Sequence, residues 1–224
     1  EEKQEIMAES LSHFAERLYS DQEKTSGVHV ACHQRNEGFA TAGGVCYVAC
    51  AGNFMDQGFE YTGALKVLQM IFSYEYLWIQ LRVKGGAYGC MCSFGNQGDS
   101  MFVTYRDPNP TETYDVYEHA AQFVEECDAD ERDMKKYIIG TISELDVPMN
   151  PAAKGQLSMS AWFTKQTEAD FQKERDEVLN ATAEDIRRTA DLVEAALAQN
   201  NLCVIGSEAA IQKEKELFGA IGRL

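Results

Sequence analysis

Four histidines, a cluster of carboxylates and one arginine–tyrosine pair are the residues whose types could do chemistry in this chain of 224 residues. His13, His29, His33 and His119 belong to neither His-x-x-Glu-His nor His-Glu-x-x-His, so no recognisable zinc-peptidase motif is present. His29 and His33 flank Cys32, and on a helix the two imidazoles would share a face. Val28, Val30 and Ala31 favour a strand instead, where residues four apart lie about 13 Å apart and cannot easily share one tetrahedral ion. An independent metal site at His29, Cys32 and His33 is therefore a lesser alternative. Glu125, Glu126, Asp128, Asp130, Glu131 and Asp133 fall at a helix-to-helix junction, where solvated capping explains them better than paired acid and base chemistry. Arg82 and Tyr88 stand six residues apart around Gly85-Gly86. A glycine turn can hold both side chains at one rim. The plainer account, which composition alone favours, has Arg82 capping a helix and Tyr88 packing at a sheet edge.

The elements that must position these residues are readable from periodicity. Ile6, Leu11, Phe14, Ala15 and Leu18 predict an amphipathic helix over Glu5–Tyr19. Val28 to Ala51 predicts one or two strands. Leu65, Leu68, Ile71, Phe72 and Leu77 predict a long helix over 59–77 that leads into Arg82. Ala87–Phe94 and Ser100–Arg106 read as a hairpin joined by the turn-forming residues 95–99. Thr111, Asp130, Thr167 and Thr182 are expected to cap the helices that follow, with Asp170 and Asp185 as box partners. Leu202–Ile205 predicts a last strand, and Ser207 caps a final helix to about Phe218. Strands and helices segregated in this way, with no glycine-rich linker, predict a single α+β domain over 1–224. Its sheet is expected to be mostly antiparallel, with helices packed on one face.

A formal net charge of −16 repels phosphate, so nucleic acid and anionic membrane are poor partners and basic peptides better ones. No apolar run approaches the ~20 residues of a membrane span, and a soluble chain is expected. Seven cysteines without Cys-x-x-Cys argue against a disulfide framework and for a reducing compartment. Glu1–Glu5 carry no initiator Met and no targeting segment, and read as the start of a fragment or a processed chain; a cytoplasmic location is expected if the source is bacterial. Neither Gly-x-Ser-x-Gly nor a phosphate-binding loop occurs.

The words Leu-Arg-Val-Lys-Gly-Gly-Ala-Tyr-Gly (Leu81–Gly89), Thr-Tyr-Arg-Asp-Pro-Asn (Thr104–Asn109), Ile-Ile-Gly-Thr-Ile (Ile138–Ile142) and Lys154-Gly155, in this order, resemble the last domain of the presequence-protease branch of the pitrilysin/insulinase zinc metallopeptidases. The likeness extends over most of the chain. It implies a fourth, C-terminal domain with the fold of the mitochondrial processing peptidase, in a protein whose two halves enclose a chamber. It further implies that zinc and the glutamate base lie in an absent N-terminal catalytic half, and that this part alone holds no metal and cleaves nothing. Arg82 and Tyr88 are the positions that, by the resemblance, reach across the closed chamber to the peptide substrate: Tyr88 as donor to the oxyanion, Arg82 to a substrate carbonyl. A non-catalytic structural or interaction domain of the same fold is the alternative.

Overall fold

The computed structural model describes residues 2–17 and 36–224. These fall into two units, Glu1–His33 and Gln34–Leu224. Within the first, α1 runs from Glu2 to Ala15, beginning three residues before the expected start. His29, Cys32 and His33, which carry the metal alternative, lie outside the described residues.

The second unit is built on one six-stranded sheet in the order β3-β4-β2-β5-β1-β6. The strands are β1 (Glu37–Thr41), β2 (Cys46–Asn53), β3 (Gly89–Phe94), β4 (Asp99–Asp107), β5 (Asn201–Ser207) and β6 (Ala220–Arg223). The expected hairpin is present as β3 and β4, and β2 extends it antiparallel on one side and pairs β5 antiparallel on the other. The expectation of a mostly antiparallel sheet needs one correction. β1 pairs both β5 and β6 in parallel, so the sheet is mixed. Parallel pairing requires a long crossover, and the segment between β1 and β5 supplies it with most of the domain.

Side chains alternate across the strands, and among the described residues of this unit the helices cover one face. Val48, Cys50, Cys92, Phe94, Phe102, Leu202 and Val204 are buried on that face, packed with Leu65, Leu68, Phe72 and Leu77 of the long helix. Tyr47, Met91, Met101 and Tyr105 project from the other face and remain exposed. Helices on one face are what the segregated pattern predicts. Among the described residues no helix is long and apolar enough to cross a membrane.

The long helix begins at Ala64 rather than near Phe59 and continues to Lys84: α2 (Ala64–Ile71) passes into wider π-helical turns over Phe72–Tyr76 and Trp78–Lys84. The late start has a tertiary cause. Gly63 lies against the backbone of Glu174, with no room for a Cβ, and donates its N–H to Glu177 Oε2 at 2.6 Å, which places a carboxylate at the positive end of the helix. The helices α3 (Pro110–Glu118), α4 (Ala120–Glu125), α5 (Glu131–Leu145), α6 (Pro151–Thr164), α7 (Glu168–Leu179), α8 (Ala183–Arg187), α9 (Ala190–Leu197) and α10 (Glu208–Lys213) complete the unit. Asp130 caps α5, accepting from the backbone of Arg132 and Asp133, and Thr167 and Thr182 form full capping boxes with Asp170 and Asp185. Thr111 does not cap α3. That helix starts at Pro110, because proline at the first helical position has no N–H to satisfy and a preset φ. Ser207 caps α10, which ends at Lys213, short of Phe218.

Candidate functional site

Arg82 and Tyr88 meet where the long helix turns into the edge strand β3. Leu77 and Leu81 are buried and fix the helix face, which leaves Trp78 and Arg82, four apart, together on the solvent side. The Arg82 guanidinium lies 4.2 Å from the centre of the Trp78 ring, a cation–π contact. The helix closes through N–H groups of Gly85 and Ala87, which donate to the carbonyls of Gln80 and Leu81 at 2.9 Å each. Gly86 stands at φ +79°, the left-handed conformation that turns the chain back. Ala87 is buried and Tyr88 points out, 54% exposed. Arg82 does not cap its own helix. Its Nη1 donates to the carbonyl oxygen of Tyr88, and its guanidinium lies 5.3 Å from the Tyr88 ring centre.

The end of β4 forms the other wall. Tyr105 packs edge-on to Tyr88, ring centres 5.2 Å apart, and stacks on Tyr47 at 6.4 Å, so the rings continue from the rim onto the sheet face opposite the core. Gly89 makes this possible, since a Cβ there would stand 2.5 Å from the Tyr105 ring. A β-bulge follows: Tyr47 faces Tyr105 and Cys46 faces Asp107, leaving Arg106 as the extra, unpaired residue. Arg106 has φ +51°, its carbonyl accepts the Tyr88 N–H at 3.3 Å, and its guanidinium lies 5.6 Å from the Tyr88 ring centre. Tyr88 thus has both arginines in contact with its ring.

Buried Asp107 anchors this wall. Its Oδ2 accepts from the hydroxyls of Thr104 and Thr113 at 2.6 Å each, and its Oδ1 accepts from the Asn109 N–H at 2.8 Å. Asn109 in turn donates from Nδ2 to the Gly85 carbonyl at 3.3 Å, joining the loop after β4 to the glycine turn. A carboxylate removed from water requires such donors, and here they come from the strand, the loop and α3.

The electrostatics of the rim are cationic within an acidic chain. Burial raises the thiol pKa of neighbouring Cys90, against the opposing pull of the Arg82 guanidinium. Among the described residues neither Arg82 nor Arg106 has a carboxylate within ion-pair distance. The same residues contain no group of three His, Cys, Asp or Glu side chains able to hold a metal ion, and His119 is engaged with the Asp115 carbonyl at 2.6 Å. The rim residues Trp78, Tyr88 and Tyr105 are exposed. A cavity of about 620 Å³ on the helix-covered side, lined by Cys50, Tyr114, Glu118, Glu194 and Leu202, includes none of the rim residues.

Spacing and resemblance single out Arg82 and Tyr88, and the fold brings these two together. It adds Trp78, Tyr105 and Arg106, whose roles the sequence reading left unassigned. The signal was partial: Thr104–Asn109 stood out as a word, but only the cross-strand register Gly89–Tyr105 shows which of its side chains face Tyr88.

A profile of the PreP C-terminal domain matches residues 36–208. Protein HypA of Clostridium perfringens (strain 13 / Type A) is 37% identical over 221 residues, 99% of this chain and 23% of that protein. Presequence protease 1, chloroplastic/mitochondrial, of Arabidopsis thaliana is 35% identical over 161 residues, 71% of this chain and 15% of that protein. The chain spans less than a quarter of the length of either relative. Among solved structures, pitrilysin superposes with a TM-score of 0.52 at 15% identity, over 77% of this chain and 19% of that one. The peptidase M16 inactive domain from Pseudomonas fluorescens does so with 0.56 at 12% identity, over 77% and 44%. At these identities the structural likeness speaks for the fold alone.

Proposed function

Because the chain belongs to the PreP C-terminal domain family, we propose that it is the substrate-side domain of a zinc metalloendopeptidase that degrades unfolded peptides in a closed chamber. Arg82 and Tyr88 are its contribution to the active site. In this reading the zinc is held by an N-terminal catalytic half of the same longer polypeptide, of which the chain, like its 15% share of presequence protease 1, is a small part.

The observation that carries the reading is the shared rim: one glycine turn presents a guanidinium and a phenol side by side at an exposed sheet end. Peptide hydrolysis places negative charge on the carbonyl oxygen of the bond being cleaved. A phenol hydroxyl donates to that oxygen without adding charge, and the Arg82 guanidinium retains donors beyond the one given to Tyr88 for a neighbouring substrate carbonyl. The sheet face bearing exposed Tyr47, Met91 and Tyr105 begins beside them and gives an extended peptide an apolar and aromatic surface to lie along. Both groups reach the bond only when the halves close, so enclosure and catalysis are coupled.

A second reading, a structural domain of the same fold, is favoured by one observation: Arg82 already has partners in Trp78 and the Tyr88 carbonyl. Kinetics separate the two. Tyr88→Phe in the longer zinc enzyme is expected to lower kcat roughly 10- to 1000-fold while the fold is retained. An unchanged kcat overturns the catalytic reading and leaves the structural one.

A further inference from the structure

Arg106 occupies a position that ordinarily belongs to glycine. It is the extra residue of a β-bulge and sits at φ +51°, where a Cβ crowds the backbone and glycine is the default tenant. The strain is held in place from both sides, by the buried Asp107 anchor and by the Tyr88 N–H that donates to the Arg106 carbonyl. Strain retained against an easy alternative points to use of the side chain. That side chain is exposed and lies over the Tyr88 ring. It has neither a carboxylate partner nor a hydrogen bond among the described residues, in a chain with 36 Asp and Glu against 20 Lys and Arg. Two guanidinia, Arg82 and Arg106, therefore contact one tyrosine, and neither is ion-paired among the described residues, the adjacent Asp107 carboxylate being buried and given over to Thr104, Thr113 and Asn109.

From this geometry we infer that Arg82 and Arg106, both in contact with the Tyr88 ring, form a clamp for a carboxylate of the peptide substrate. The inference rests on the proposal that Arg82 and Tyr88 face substrate, and it names what that site selects. A guanidinium presents paired N–H donors to carboxylate oxygens, a match that lysine's point charge does not reproduce. The carboxylate comes either from an acidic side chain or from the peptide's free C-terminus. The clamp works locally, against the repulsion of acidic peptides expected from the net charge of the whole chain.

The test uses the longer zinc enzyme and a neutral parent peptide varied in two arms: Glu against Gln at successive interior positions, and C-terminal acid against amide. The wild-type enzyme is expected to favour the carboxylate form in one arm by about 10-fold in KM, the scale of one charged hydrogen-bonding contact. Arg106→Gly keeps the left-handed backbone and removes the guanidinium; it is expected to unfold at no lower temperature than wild type and to abolish that preference. Arg106→Lys should restore it only partly. Absence of a carboxylate preference in both arms, or its persistence in Arg106→Gly, overturns the clamp. An equal loss for carboxylate and neutral peptides also overturns it, because Arg106 then acts only by positioning Tyr88. A fall in kcat for Tyr88→Phe alongside any of these results would leave the proposed function standing and remove this inference alone.

Discussion

The rim around Tyr88 and the helix α6 both carry large exposed aromatic residues, and they are built in opposite ways. Tyr88 is 54% exposed, Trp162 75% and Phe163 69%. At the rim each exposed ring touches another ring or a guanidinium, and the loop beneath is tied to a buried carboxylate whose donors come from three elements. Along α6 none of the fourteen residues is buried, and Lys154 is its one charged residue. Its end is closed by a purely local device: Lys165 at φ +59°, with the Gln166 N–H donating to the Ala161 carbonyl at 2.9 Å. Exposure alone therefore does not distinguish a site. Anchorage does, because a side chain that must meet a reacting atom has to be held by groups that cannot move independently.

The comparison breaks most easily at Asp107. Asp107→Ala strands two buried threonine hydroxyls and the Asn109 N–H, and the expected loss is about 3 kcal/mol in urea unfolding. The packing of Tyr88 against Arg106 should loosen with it, which the ring resonances of Tyr88 would report. A loss below about 1 kcal/mol would mean that the rim is no better anchored than α6. A smaller effect is expected from Gly89→Ala, where the new Cβ drives the Tyr105 ring aside at a cost of about 1 to 2 kcal/mol. Retention of the Tyr88–Tyr105 contact in that variant would show that the ring ladder is looser than the geometry implies.

How much of this was legible in the sequence follows the range of the interactions. Capping boxes at Thr167 and Thr182 are three-residue motifs, and they formed as read. The β3–β4 hairpin was legible within two residues, because its turn residues and alternation are local. The parallel partners of β1 were not: β6 is four residues long, and its pairing with β1 joins residues almost the whole unit apart. The bulge at Arg106 was hidden for a different reason, since the usual glycine marker is missing there. At the site, the glycine break and the resemblance sufficed for Arg82 and Tyr88. Trp78 was within reach by helical spacing from Arg82. Tyr105 and Arg106 needed the strand register, and the importance of Asp107 needed its burial.

The smallest expected effect falls on the other side of the comparison. Trp162 contacts Phe163 edge-on, ring centres 4.9 Å apart, but neither ring enters the core. Replacing a large aromatic residue in a packed interior costs about 3 to 5 kcal/mol, through lost transfer energy and the cavity left behind. Neither term applies where the side chain is three-quarters exposed and no cavity can form. Trp162→Ala in this chain is therefore expected to change unfolding stability by no more than about 0.5 kcal/mol, with a slight gain from alanine's helix propensity. The same substitution should leave the resonances of Tyr88 and Tyr105 unmoved. A loss above about 1 kcal/mol would show that α6 is held by contacts comparable to those at the rim, and anchorage would then no longer separate the two regions.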